Sequence, residues 1–468
     1  MTNPLIEDQL NEHYWVIGAE MGYGHQRAVN PFKSVAEGNI IMAGNNEHTS
    51  AFEKRLWRRY LRLYELFSRM KSFPVLGKSI FGMLDKLLHI PSLYPIRNLS
   101  AATFQVDALR SQLRKGLGQG VLKAISTKWL PVLTSFYVPA LVADSAGHEP
   151  IYCIVCDADL NRVWVAKEPW DSRINYFAPC GKAALRLQSY GVPQERIFLT
   201  GFPLHDDLLG GRELKTLKHD LAIRLDVLDP NRRFHLAHGH SVQHFLGDSV
   251  QHLSADSVQH LSADSVRHVP ADNVDEKPKR LLTVAFTVGG AGAQLELGLA
   301  LVKSFKKRIL NGEMRLLLIA GTRPDVRDAF QAAKIAAVGD HENLEVLFAS
   351  NADDYYTLFD RAIRNTDILW TKPSELSFYC GLGLPIIIAP PIGSQEKFNR
   401  KWLLEVGAGM RQENPDHAGE WLFDMLDNGK FADMAWLGFL RARKLGLYHI
   451  LDVLRTGQFL RSDHPLQR

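Results

Sequence analysis

Cysteine is scarce, with four in 468 residues, so a disulfide scaffold is excluded. The one close pair, Cys153 and Cys156, sits inside the apolar run IYCIVCD, which reads as buried thiols rather than a redox or zinc motif. Long hydrophobic runs are missing too: nothing approaches the ~20 apolar residues of a membrane-spanning helix. The opening residues, MTNPLIEDQLNEH, are polar and acidic and do not read as a signal peptide. Nor does one sign of charge dominate. A net charge of +4 gives no ground for nucleic acid as a partner. What remains is an ordinary soluble composition, 46% hydrophobic and 23% charged, with length for two domains and a cytoplasmic location expected.

The most informative stretch runs from Asp367 to Asn399, DILWTKPSELSFYCGLGLPIIIAPPIGSQEKFN. It reads as a strand, a loop, a short helix capped by Ser374 and ended by Gly381 and Gly383, a second strand, a turn, and a helix opening at Gln395. Lys372, Ser374, Glu375, Gln395, Glu396 and Asn399 thus collect where strands end. In a parallel α/β sheet that edge binds ligands.

The pattern recurs along the chain. Tyr14 to Ile17 is a strand run, followed by a loop with Gly18, Gly22 and Gly24 and a helix containing His25 and Arg27. Glycines let backbone amides approach a bound group, and a helix start offers free N–H donors. Asp157 follows the strand IYCIVC and so lies on a ligand edge, although an Asp there is also a common helix cap. From Arg280, LLTVAFTVGGAGAQLE gives a strand and a turn in which Gly289, Gly290 and Gly292 can admit a pyrophosphate against backbone N–H groups.

Two segments do not fit that alternation. Residues 52–90 open with apolar residues at helical spacing, ringed by basic residues including Arg58, Arg59 and Arg62, with Trp57 among them. This favours a membrane-surface helix on anionic lipid, contacted by Trp57, Arg58, Arg59 and Arg62, over a core helix with a solvated basic face. From Ser241 to Asp272 an octapeptide repeats four times, SVQHFLGD to SVRHVPAD. Its period of eight matches no helical face or solenoid unit, so it reads as an insert in a tolerant surface loop. That reading outweighs metal binding by His244, His252, His260 and His268.

Several of these stretches also carry a likeness. Thr371-Lys372-Pro373, Gly383-Leu384-Pro385, Gln395-Glu396 and Asn399 resemble the nucleotide-sugar site of GT-B glycosyltransferases of family 28. That family includes the diacylglycerol glycosyltransferases (monogalactosyldiacylglycerol synthase among them) and the N-acetylglucosaminyltransferase that forms lipid II. Gly22-Tyr23-Gly24-His25-Gln26-Arg27-Ala28 resembles the glycine-rich loop of the lipid-modifying members, and the Gly-Phe-Pro-Leu ending at Leu204 resembles the close of their first domain. Two features depart from the family: its Gly-Gly pair is missing after Pro373, and Phe378 stands where its ribose-gripping Glu would be, with Glu375 the nearby carboxylate.

The resemblance implies two Rossmann-like α/β domains facing a cleft. Residues 1–204 would form the acceptor domain, 205–279 a linker with the insert, 280–440 the nucleotide-sugar domain, and 441–468 a helix crossing back. It implies an inverting, peripheral hexosyltransferase using a UDP-sugar as co-substrate, with no cofactor and no metal, acting on a membrane lipid or other acceptor. His25 would be the base, with Asp157 orienting it or touching the acceptor; Gly22, Gly24, Arg27 and Trp164 would line the acceptor or phosphate loop. Gly289, Gly290, Gly292, Lys372, Ser374, Glu375, Gln395, Glu396 and Asn399 would hold the donor. A UDP-GlcNAc 2-epimerase and a non-catalytic nucleotide-sugar-binding protein remain as alternatives.

Overall fold

Strands of a parallel sheet are covered on both faces, so they read as unbroken apolar runs rather than alternating ones. The computed structural model, which describes residues 13–59, 90–247, 280–289, 292 and 294–468, turns those runs into two sheets. The first contains β1 (Trp15–Ala19), β2 (Ile41–Ala43), β3 (Val132–Thr134), β4 (Ile151–Ile154), β5 (Ile174–Phe177) and β6 (Ile197–Phe198). The second contains β7 (Leu282–Thr287), β8 (Met314–Gly321), β9 (Leu344–Phe348), β10 (Ile368–Thr371), β11 (Ile386–Ile388) and β12 (Gly409–Arg411). Every pairing between these strands is parallel.

The strand orders locate the ligand edges. The first sheet runs β2-β1-β3-β4-β5-β6, and the second β12-β11-β10-β7-β8-β9. The first sheet reverses between β1 and β3, the second between β7 and β10. At such a switch point the loops leave the sheet in opposite directions and open a crevice beyond the strand ends. The loops beyond β1 and β3 carry His25 and Ser135; those beyond β7 and β10 carry Gly289 and Lys372. The chain is therefore two Rossmann-like α/β domains.

Between the domains run the helices Asp206–Leu209, Lys215–Leu228 and Arg233–Leu246. Lys215–Leu228 is fixed to the second sheet by Arg224. This buried guanidinium donates to the carbonyls of Thr366 at 2.9 Å and Leu382 at 2.8 Å. The last of the three helices takes in the start of the octapeptide repeat: Val242 and Leu246 are buried, and Phe245 lies 6.0 Å from the ring of Trp436. Residues 241–246 are thus a packed helix end, because SVQHFL continues the helical face of the preceding RFHLAHGH. The rest of the repeat, including His252, His260 and His268, lies outside the described residues. The helix Gly446–Thr456 rests on the first sheet, where Tyr14 donates to the Leu454 carbonyl at 3.0 Å.

Residues 51–59 are helical, and their anchor is internal. Buried Glu53 accepts from the amides of Gly118 at 2.9 Å and Gly120 at 2.8 Å, and from Trp57 Nε1 at 3.2 Å. Trp57, expected on a membrane-facing surface, is only 8% exposed and packs 6.1 Å from Phe136. This corrects its role: its indole N–H has a buried partner and its ring fills the first domain's core. Arg58 and Arg59 remain on the outside; Arg62 lies outside the described residues. Among the described residues no helix is long and apolar enough to cross a membrane. All four cysteines are free and buried, and burial alone pushes the Cys153 thiol far up.

Candidate active site

β1 delivers the chain to Gly22, whose φ of 107° turns it into the helix Tyr23–Val29. Only glycine adopts such a conformation without strain. His25 lies in the first turn of that helix, and its Nδ1–H donates to the Ser135 carbonyl at 2.7 Å. Ser135 answers by donating its hydroxyl to the His25 carbonyl at 2.6 Å. A carbonyl can only accept, so Nδ1 carries the proton and the free lone pair is on Nε2. Phe136 lies edge-on to the imidazole at 4.9 Å and Trp164 at 6.0 Å, with Tyr137 beyond, 5.3 Å from Trp164. Burial holds His25 below the ordinary histidine range, while the Ser135 carbonyl and the charge of Glu375 pull it back up.

The expected Asp157–His25 pair does not form. In the first sheet β3 lies between β1 and β4, so the residue after β3, Ser135, is the neighbour of the His25 loop. Asp157, past the end of β4, is one strand further away and faces the other domain. Its Oδ1 accepts from Asn399 Nδ2 at 2.7 Å, and the next amide, Ala158 N–H, donates to Asn399 Oδ1 at 2.7 Å. Loss of water pushes the Asp157 carboxyl up to about 6; Glu375 and Glu396 add to that, while Asn399 and Lys372 oppose it.

Across the interface the second domain presents charge. Lys372, just past β10, pairs with Glu396 at 2.7 Å, and Glu396 also accepts from the Ile392 amide at 2.6 Å. A Cβ at Gly289 would stand 2.5 Å from Lys372 Cε, so the glycine leaves room for the lysine to cross the β7 turn in this position. Gly292 follows with φ 68°, ahead of the helix Leu295–Leu310, and Gly290 lies outside the described residues. Ser374 caps the short helix Glu375–Leu382 by accepting from the Leu376 amide, the role its sequence position indicates. Asn399 is fully buried and also donates to the Pro373 carbonyl at 3.3 Å, so its amide joins both domains. Gln395 stands partly exposed in the first turn of the helix Ser394–Val406.

Arg27 and Glu375 sit elsewhere than expected. Arg27 is 1% exposed and enters the second domain, where Phe359 lies 4.1 Å below its guanidinium. Its Nη1 donates to Tyr379 at 3.3 Å, its Nη2 to Tyr355 at 3.2 Å, and its Nε stands 3.4 Å from Glu375. Glu375 faces the first domain: a Cβ at Gly24 would come within 2.9 Å of its Oε2. Glycine at position 24 thus serves close approach of the two domains. Tyr23 makes a further junction, accepting from the Thr322 amide at 2.9 Å.

The structure therefore brings His25, Asp157, Trp164, Lys372, Glu375, Glu396 and Asn399 to one interdomain junction. Sequence reasoning missed Ser135, Phe136 and the residues around Arg27. Ser135 had a usable signal, a hydroxyl directly after a short buried strand; Tyr355, Phe359 and Tyr379 had none, since they read as helix core.

No protein-family model matches the chain, and no curated protein matches it. Among solved structures, UDP-GlcNAc 2-epimerase from Neisseria meningitidis bound to UDP-GlcNAc is similar at 12% identity and TM-score 0.41, over 80% of this chain and 87% of that one. MurG from Acinetobacter baumannii is similar at 14% identity and TM-score 0.40, over 88% and 97%. A glycosyltransferase from Rickettsia africae is similar at 11% identity and TM-score 0.36, over 81% and 88%. At these scores the fold is read from the sheets themselves.

Proposed function

We propose that this chain is an inverting glycosyltransferase that moves a hexose from a UDP-sugar to a hydroxyl of a membrane lipid or other acceptor. The contact of Asn399 with Asp157 carries the reading. Residues 242 positions apart meet at 2.7 Å, so the strand ends of both sheets form one site rather than two. The residues that resemble donor-site and base motifs converge there from far apart in sequence. A fold alone does not name an activity; this convergence of side chains is what supports one.

The chemistry follows from the groups present. His25 is neutral near pH 7, since burial depresses its pKa, and its Nε2 lone pair is free to take a proton. The acceptor oxygen loses its proton to Nε2 and bonds to the anomeric carbon from the face opposite UDP. The bond from that carbon to the diphosphate oxygen breaks, and the configuration inverts. Lys372 and the start of the helix Leu295–Leu310 stabilise the charge on the departing diphosphate. Asp157, at about 6, is mostly ionised at pH 7 and holds Asn399 of the donor side against the first domain. Exposed Arg58 and Arg59 bring the first domain to an anionic lipid surface, and the acceptor with it.

The test offers the purified chain a set of UDP-hexoses with and without vesicles containing diacylglycerol, reading UDP release and lipid mass. Acceptor-dependent UDP release with a hexose added to lipid supports the proposal. Turnover of UDP-GlcNAc without acceptor would make it an epimerase, and binding without turnover a non-catalytic binder. Failure to bind UDP or any UDP-hexose would overturn it.

A further inference from the structure

Arg27 lies two residues beyond His25 on the same short helix, yet its side chain belongs to the other domain. Its guanidinium is enclosed by Phe359, with Tyr356 at 5.2 Å, Tyr355 at 5.5 Å and Tyr379 at 5.7 Å from their ring centres. Two tyrosine hydroxyls accept from its terminal nitrogens, and the remaining Nε has Glu375 as its anionic neighbour at 3.4 Å. A guanidinium over aromatic faces, out of water, is held by cation–π attraction in addition to its hydrogen bonds. Glu375 belongs to the short helix directly after the Lys372 loop, so one carboxylate lies between the arginine, the start of the His25 helix and the donor-side loop.

We propose that Arg27 and Glu375 are an interdomain positioning pair: the seated arginine fixes the His25 helix against the Lys372 loop, and the Glu375 carboxylate sets the field at the imidazole. Neither residue need touch substrate. The packing defines what else acts on His25. Ser135 contributes a carbonyl dipole, Phe136 and Trp164 contribute uncharged rings, and Glu375 is the charged group whose field raises the imidazole pKa. Asp157 responds to the same Glu375 and to Glu396 and Lys372. The cage tyrosines stay protonated; burial pushes Tyr355 up to about 12 and Tyr379 higher. The cage therefore adds no competing negative charge.

Two substitutions give opposite signs. Glu375→Gln keeps the shape and an acceptor for Arg27 but removes the negative charge, so the His25 titration midpoint falls. Arg27→Met fills the cage without charge; Glu375 is then unopposed, and the midpoint rises. The readout is the His25 ring signal in protein labelled at histidine, assigned with His25→Gln and followed from pH 4 to 9 without substrate. This part stands whatever the enzyme proves to do. The kinetic part rests on the transferase reading: Glu375→Gln should shift the acid limb of kcat/KM down with the His25 midpoint. A midpoint unmoved in Glu375→Gln, or one moving the same way in both variants, would overturn the proposal. If Arg27→Met does not fold, Glu375→Gln decides alone. A shifted midpoint with no transferase activity would keep the pair and remove the transferase reading.

Discussion

The two faces of the interdomain junction are built from opposite materials. On the first domain, His25 lies against Phe136 and Trp164, with Tyr137 packed behind those two rings, and is held by one backbone carbonyl. On the second, Lys372 pairs with Glu396, while Glu375 pairs with Arg27 of the first domain. Under the proposed function the aromatic wall would receive the acceptor beside a neutral base, and Lys372 on the other wall would meet the diphosphate. The same parallel-sheet edge, used twice, thus carries two different sets of side chains: the strand ends provide the place, and the side chains beyond them set the chemistry. Asn399 and Arg27 join the halves from opposite directions.

Substitutions on the two walls should separate rate from binding. His25→Ala should lower turnover by about 10²–10⁴-fold, the usual worth of a general base, while donor affinity measured by calorimetry stays nearly constant. Equal loss of both would merge the two walls into one binding surface. Trp57→Ala tests the support behind the aromatic wall. It removes a buried ring and leaves the Glu53 carboxylate one donor short, and should cost about 3–5 kcal/mol in chemical denaturation. A cost under about 1 kcal/mol would return Trp57 to the surface.

Asp157 gives a smaller effect with a definite sign. Its folded pKa, about 6, lies above the ordinary aspartate value of 3.8. A raised pKa means that folding favours the protonated form. The associated stability is therefore present below about pH 4 and lost as pH rises through about 6. Asp157→Asn should accordingly be more stable than the parent at pH 7–8, by about 3 kcal/mol, with the gap closing toward pH 4, while turnover falls. Thermal denaturation across that range reads it; a variant less stable at pH 8 would contradict the assignment. Smallest is Gln395→Ala, which should weaken UDP-sugar binding by about 1 kcal/mol and UDP binding less. Equal losses would place Gln395 on the nucleotide.

Much of the fold was legible because parallel strands announce themselves. LLTVAFT, MRLLLIAG and the Ile386–Ile388 run are apolar on both faces and became β7, β8 and β11. The loop residues beyond strand ends were legible for the same reason, and His25, Asp157 and Lys372 reached the junction. Pairings were not legible. Whether Asp157 meets His25 or Asn399 depends on β3 lying between β1 and β4, which no local pattern encodes. Arg27 read as lining the acceptor or phosphate loop because its cage lies more than 320 positions away in sequence. Trp57 misled for a different reason: a basic ring around an apolar stripe is the same pattern whether the stripe meets lipid or a protein core.

The central claim is that both sheet edges form one site. Amide hydrogen exchange of the unmodified chain, with and without a UDP-hexose, tests it most directly. The account predicts slowed exchange on both walls, in residues 371–399 and in residues 20–27, because a ligand at the junction orders loops from each domain. Slowing confined to one wall, or confined to surfaces away from both, would contradict it.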